Sequence, residues 1–250
     1  MSSRILVVND DGVYGPGLRP LISAMRKVGS VLAVVPDQER SADSHSLTLH
    51  KPIRVQKTGK DLYILNGRPA DCVRLGLLEL MGMKADLVVS GINRGYNLGE
   101  DVIYSGTVAA AREAALLGLP AIAFSQDPDS GVYGPAASFA SRLARVVLKK
   151  GLPPGICLNV NSPLPSRGKL APVELARLGR RIYSKEITRR SDPRGGHYYW
   201  LAGRAVSGVR QKGTDIAAVA SGRIAITPLH IDSTDFEMLE ALKSWEIAPS

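Results

Sequence analysis

Cysteine is almost missing: Cys72 and Cys157 are the only two in 250 residues, and each lies in an apolar stretch. That scarcity excludes a disulfide framework and leaves both as small buried hydrophobes. Long hydrophobic runs are missing too. The N-terminal MSSRILVVNDDG has four consecutive apolar residues before an acidic pair, too few for a signal-peptide core, and no run reaches membrane-spanning length. The chain is therefore expected in the cytoplasm, with no membrane partner. A dinucleotide fingerprint is also lacking, since Gly12, Gly15 and Gly17 run GxxGxG and not GxGxxG.

Negative charge is scarce in one place only. The net charge is +9, but ten basic residues between Arg177 and Lys212 stand against Glu186 and Asp192, a local surplus of +8. The remainder is nearly neutral, which points to a basic arm or patch and not to a polycationic protein.

What is present is ample for a core: 44% hydrophobic residues over a length that suits one large α/β domain or two small ones. From Arg4 to about Val160, short β-rich runs alternate with helical spacing. Ile5 to Val8 and Val31 to Val35 read as strands around a helix carrying Leu18, Leu21, Ile22, Met25 and Val28. Leu47 to Val55 and Leu62 to Leu65 read as a hairpin, and Pro69 to Met81 as a helix entered through proline. Further strands are expected at Leu87 to Ser90, Ala121 to Phe124 and Ile156 to Val160, with helices over Gly106 to Leu117 and Ala136 to Lys149. The alternation predicts a parallel sheet covered on both faces. Beyond Asn161, Pro163, Pro165, Gly168 and Pro172 mark a loop-rich passage, followed by the basic segment and its aromatics Tyr198, Tyr199 and Trp200. A late strand is expected at Ile224 to Thr227. Thr234 and Glu237 then form a capping-box signal for a last helix with Phe236, Leu239 and Leu242.

Chemistry concentrates in three loops. Asp10 and Asp11 stand where the first strand surfaces, and loops at the carboxyl ends of parallel strands gather ligands. Adjacent ionised carboxylates repel, so a site that unites them needs a cation, a shared proton or full hydration, and a divalent metal is the simplest. A plain turn is the alternative. The second loop, SGINRGYNLGEDVIYSGTVAAA (Ser90 to Ala111), combines three glycines, two asparagines and Ser105-Gly106-Thr107 at a helix start, a run of donors suited to phosphate; tight turns and an N-cap are its other reading. The third, PDQERSADSHS (Pro36 to Ser46), offers Ser41 and His45, each of which alone reads as a surface residue. If the loops share one edge, Asp10, Asp11, Ser41 and Asn93 supply oxygen ligands only, which select Mg²⁺ or Mn²⁺ over Zn²⁺.

NDDG, PDQERSADSHSLTLH, NGRPADCVRLGL and SGINRGYNLGEDVIYSGTVAAA, in this order, resemble the SurE family, the survival-protein-E nucleotidases. YYWLAG and GTDIAAVASGRIAITPL extend the likeness over nearly the whole chain. The resemblance implies an α/β, Rossmann-like three-layer core over 1–160, with a mainly parallel sheet. It implies an extension over 161–250 with a β-hairpin arm (177–212) and terminal helix, exchanged between subunits of a homodimer or homotetramer. The implied activity is a 5'-nucleotidase: metal-dependent hydrolysis of nucleoside 5'- and 3'-monophosphates, with short polyphosphate as a further substrate. Its metal ligands fall on Asp10, Asp11, Ser41 and Asn93. Ala114, where the family often has glycine, is one departure, expected to affect helix packing and not the site.

The mechanism expected is one divalent cation per subunit at Asp10 and Asp11, with Asn97, Ser105, Gly106 and Thr107 gripping phosphate oxygens and His45 a candidate acid or base. An enzymatic rival makes Asp10 a covalent nucleophile, but haloacid-dehalogenase-like enzymes resemble DxDx(T/V) and the acids here are adjacent. A rival of another class is a non-catalytic nucleotide- or RNA-binding protein using the basic aromatic arm. Against it stands a hairpin packed on a neighbouring subunit, with no stable nucleic-acid complex. Base preference, 5' against 3' phosphate, and dimer against tetramer are not encoded in any legible motif.

Overall fold

A computed structural model describes residues 2–164, 171–183, 187–201 and 207–245. Pro165, Gly168, Lys185, Glu186, Gly203 and Arg204, used in the reading above, lie outside the described residues.

The first half runs β1 (Arg4–Val8), α1 (Leu18–Met25), β2 (Ser30–Pro36), β3 (Val55–Lys57), β4 (Leu62–Leu65), α2 (Pro69–Leu75), a π turn (Gly76–Leu80) and β5 (Leu87–Arg94). Then follow α3 (Asp101–Tyr104), α4 (Gly106–Leu116), β6 (Ala121–Gln126), α5 (Gly134–Lys150) and β7 (Ile156–Ser162). The remainder holds β8 (Val173–Leu175), β9 (Arg181–Ile182), β10 (Thr188–Ser191), β11 (His197–Trp200), β12 (Ser207–Gly208), α6 (Asp215–Ala220), β13 (Ile224–His230) and α7 (Phe236–Leu242).

Nine of these strands form one sheet, ordered β3, β4, β2, β1, β5, β6, β7, β13, β8. Pairing is parallel from β4 through β7 and antiparallel where β3 and β13 join. From β1 the chain winds outward to β2 on one side and, later, to β5 on the other, so the β1/β5 boundary is the topological switch point where open α/β sheets leave a crevice.

The apolar run of β1 explains why it is central. Ile5 and Val7 point into the cluster beneath α1 and α5, while Leu6 and Val8 point into the cluster beneath α2 and α4, and all four are fully buried. Each such side chain stabilises the fold by about 1.5–3 kcal/mol through loss of water contact. Ala114 lies buried in the α4 cluster. A third cluster joins Leu98 to Ile216, Ala218 and Val219 of α6 and Ala225 of β13, so the C-terminal segment is packed onto the sheet. No described helix is long and apolar enough to cross a membrane.

Three local expectations need correction. The strand read from Leu47 begins only at Val55. Thr48 and Arg54 donate their N–H groups to the side chains of Asp71 (3.0 Å) and Asn66 (2.7 Å), and Pro52 has none to give, so the ladder is displaced. The helix read as continuous from Pro69 to Met81 leaves the α register at Gly76, where the Met81 N–H reaches the Gly76 carbonyl at 3.0 Å. A Cβ on Gly76 would sit 2.9 Å from the Leu6 side chain, so glycine permits this close passage. The last helix is capped by Asp235, whose side chain accepts the Met238 N–H, and not by Thr234, whose hydroxyl donates to Asp232.

The basic segment does form a hairpin: β10 and β11 pair antiparallel, with Arg190 opposite Tyr198 and Arg189 opposite Tyr199, and every residue of both strands is exposed. Its base is fastened to α3, where Arg181 pairs with Asp101 at 2.6 Å and Tyr183 donates to the same carboxylate.

Candidate active site

Three strand ends meet at the switch point. β1 delivers Asp10 and Asp11, the segment after β2 carries Glu39 and Ser41, and β5 ends at Asn93 and Arg94. The β2 loop is held against the aspartates by backbone contacts: the Arg40 N–H donates to the Asp10 carbonyl at 2.7 Å, and a side chain on Gly12 would strike the Gln38 backbone at 2.9 Å. From the other side the Arg94 N–H approaches the Asp11 carboxylate at 3.4 Å. The pairing of β5 with β6 shifts register between Ser90 and Asn93, just before the strand ends.

Asp10 is only 4% exposed and rests on the start of α4. Its carboxylate accepts a hydrogen bond from the Thr107 hydroxyl, and a Cβ on Gly106 would lie 2.8 Å from the Asp10 Cβ. Glycine at 106 is thus what lets the helix start reach the aspartate. Ser105 caps α4 through its hydroxyl, which accepts the Val108 N–H at 3.1 Å. Asp11 is half-buried, with Gly15 packed on its Cβ.

The charges here are poorly compensated. Burial pushes the Asp11 carboxyl up to about 7, and the neighbouring Asp10 and Glu39 charges add to the rise. Burial raises the Asp10 carboxyl as well, against the pull of its Thr107 hydrogen bond. Asn9 Oδ1, next in the chain to the pair, is buried without a hydrogen-bond partner among the described residues. Two destabilised carboxylates and an orphaned oxygen favour a cation, which would reverse both shifts. Among the described residues no group of three or more histidine, cysteine or acidic side chains is gathered to hold a metal, and neutral oxygens such as Asn9 Oδ1 are the donors that would join the pair. The donor set therefore fits a hard divalent ion. A cleft of about 540 Å³ opens beside it, lined by Asp11, Tyr14, Asp37, Glu39 and Arg94, large enough for a small molecule.

Each residue expected from sequence can now be located. Asp10, Asp11, Ser41 and Asn93 occupy neighbouring strand ends; the Ser41 hydroxyl donates to Glu39 at 2.6 Å, and the Asn93 amide to the Gly95 carbonyl at 2.9 Å. Ser105, Gly106 and Thr107 form the first turn of α4 against Asp10. Asn97 lies deeper, its amide donating to the Ser125 hydroxyl at 2.7 Å. His45 is bonded through Nε2 to the buried Glu113 of α4 at 2.7 Å. Burial pushes the Glu113 carboxyl up, but its bonds to His45 and to Arg74 (2.6 Å) outweigh this and hold it below the ordinary value.

Several supporting residues escaped the sequence reading. Asn159 and Asn161 of β7 donate to the Asn97 carbonyl at 2.8 and 3.0 Å, and Asn161 accepts the Asn97 N–H at 2.8 Å. Polar residues at alternate positions of the apolar strand ICLNVNS were the signal. Asp215 accepts three backbone N–H groups, from Gly99, Gly179 and Ile216, and so ties the loop after β5 to the C-terminal segment. No local pattern distinguishes it from an ordinary helix-start aspartate.

Comparison with known proteins finds relatives over nearly the whole chain. The family model for survival protein SurE matches residues 5–185. A Geobacter sulfurreducens protein named 5'-nucleotidase SurE is 48% identical over 248 residues, covering 98% of this chain and 94% of its own. The Geotalea daltonii protein of the same name is 46% identical over 246 residues, covering 98% and 99%. The crystal structure of the SurE protein from Aquifex aeolicus superposes with a TM-score of 0.85 at 37% identity, over 96% of this chain and 98% of that one. With the family model over most of its length and relatives at this identity, the chain belongs to the SurE family.

Proposed function

We propose that the protein is a 5'-nucleotidase, a phosphomonoesterase that releases phosphate from nucleoside 5'-monophosphates, with 3'-monophosphates and short polyphosphate as further substrates. The observation that carries this reading is the buried Asp10–Asp11 pair set against the first turn of α4, because it joins an incipient cation site to a phosphate-binding helix start. Asp10 and Asp11, with oxygens of Ser41 and Asn93, would hold one Mg²⁺ or Mn²⁺ per subunit. Such a cation supplies Lewis acidity towards a phosphoryl oxygen and the charge that keeps both carboxylates ionised.

The chain's own groups do the rest. Ser105, Gly106 and Thr107 at the start of α4, with Asn97, would bind the phosphate oxygens. Thr107 keeps Asp10 in one orientation. His45, bonded to Glu113, would be the acid or base that serves the leaving oxygen. Residues 161–250 are an extension of the 1–160 core and do not fold alone, since β13 completes the core sheet. The exposed hairpin, with Tyr199 and Trp200 over half exposed, is the contact through which subunits associate as a homodimer or homotetramer. A phosphate-release screen over nucleoside monophosphates and short polyphosphate, with Mg²⁺ or Mn²⁺ and again with chelator, tests the reading. Release from a monophosphate that stops on chelation is expected; no release from any of them under either metal would refute it.

A further inference from the structure

A second cleft, of about 490 Å³, shares no lining residue with the aspartate cleft. It opens where β13 loses its outer neighbour: β8 pairs with β13 only from Ile224 to Ile226, and the segment after β8 turns away, leaving the edge from Thr227 onward without a described strand beside it. Arg112 of α4 and Arg177 both line this cleft, and among the described residues no carboxylate does. Neither guanidinium pairs with a carboxylate among the described residues. Ile103, Leu178 and Leu229 supply apolar walls.

Thr227 provides an independent pointer. It is 2% exposed, it lines the cleft, and its hydroxyl has no hydrogen-bond partner among the described residues. A buried hydroxyl normally finds one, so the group is poised for a ligand atom. Two guanidiniums recognise phosphate oxygens, apolar walls take up a flat ring, and the volume falls in the range of small-molecule sites.

We propose that this cleft is a second site for a nucleoside phosphate, in which Arg112 and Arg177 hold the phosphate, Ile103, Leu178 and Leu229 cover the base, and Thr227 bonds to its polar edge. The site bears on the aspartates through shared helices. Arg112 follows Thr107 on α4 by five residues, about 7.5 Å along the axis, and Ile103 belongs to α3, whose C-cap is Ser105. An occupant therefore touches the two helices that frame the first site.

Equilibrium dialysis of labelled adenosine 5'-monophosphate against the full chain, in chelator, tests the proposal. Asp11→Asn is expected to keep the equivalent bound in this cleft, Arg112→Gln to weaken it by about tenfold or more, and Thr227→Val to weaken it severalfold without lowering the melting temperature. Inorganic phosphate, lacking a base, is expected to compete about tenfold less well. Wild-type affinity and stoichiometry in Arg112→Gln, or equal competition by inorganic phosphate, overturns the assignment; unchanged affinity in Thr227→Val removes the hydroxyl from it. Binding is read without divalent cation and without turnover, so a failed phosphate-release screen leaves this result standing, and the reverse also holds.

Discussion

Asp215 and the Asp10–Asp11 pair sit at two rims of one sheet, Asp215 and Asp10 buried and Asp11 half-buried, yet Asp215 receives backbone N–H groups at 2.8, 2.7 and 2.8 Å whereas Asp11 receives a single one at 3.4 Å. Burial raises the Asp215 carboxyl, and its three amides pull the other way. At the first site the Thr107 hydroxyl and backbone amides donate to Asp10 alone, burial outweighs them, and the neighbouring Asp10 and Glu39 charges raise the cost of ionising Asp11. A carboxylate whose oxygens are filled by the chain serves the fold. One whose oxygens are left open, beside a like charge, is held for something outside the chain. Glu113 is a third case, compensated by His45 and Arg74, and it orders a loop that borders the site.

Exchanging the acids sharpens this contrast. Asp10→Asn or Asp11→Asn is expected to cut phosphate release by roughly a thousandfold or more while the melting temperature stays level or rises, because a repulsive charge is removed. Near-normal turnover in either variant would sink the metal assignment. Asp215→Ala should behave in the opposite way: three amides lose their acceptor, and urea unfolding should show a loss of about 3 kcal/mol or more. An unchanged urea midpoint would erase the distinction between the two rims.

Gly106→Ala tests how finely the first rim is built. The new methyl meets Asp10 at 2.8 Å, so kcat/KM is expected to fall by about tenfold or more through displacement of that carboxylate, with a smaller change in stability. The smallest effect concerns pH. Glu113 is held below its ordinary value of 4.5, so the stability it contributes is complete above that pH and is lost as pH falls through the lower folded-state value. Glu113→Gln should therefore flatten the acid side of a melting-temperature profile by an amount worth about 1 kcal/mol, measured between pH 3 and 6. A profile parallel to the wild type's would show that His45 and Arg74 do not favour the charged form.

Much of the first rim was legible because its information is local. Asp10 and Asp11 follow a run of four apolar residues, and Ser105 to Thr107 open a helix; each feature declares itself within a few positions. The errors arose where side chains from elsewhere took over the backbone's hydrogen bonds. Asp71 and Asn66 pulled 48–54 out of a strand, and the glycine that let the chain approach Leu6 shifted α2 into a π turn. Asn159, Asn161 and Asp215 went unread because their partners lie 62, 64 and 116 positions away.

By itself the sequence determined which segments alternate as strand and helix, where the acids and the glycine-rich loop fall, and that the basic charge is gathered in one arm, since these depend on spacing along the chain. Tertiary structure alone decided that the winding reverses between β1 and β5, that Asn97 is braced from β7, and that two arginines far apart in sequence line one cleft beside an unbonded threonine. Burial and mutual repulsion are properties of assembled neighbours, so the same two aspartates acquire their raised affinity for protons only when the sheet closes over them.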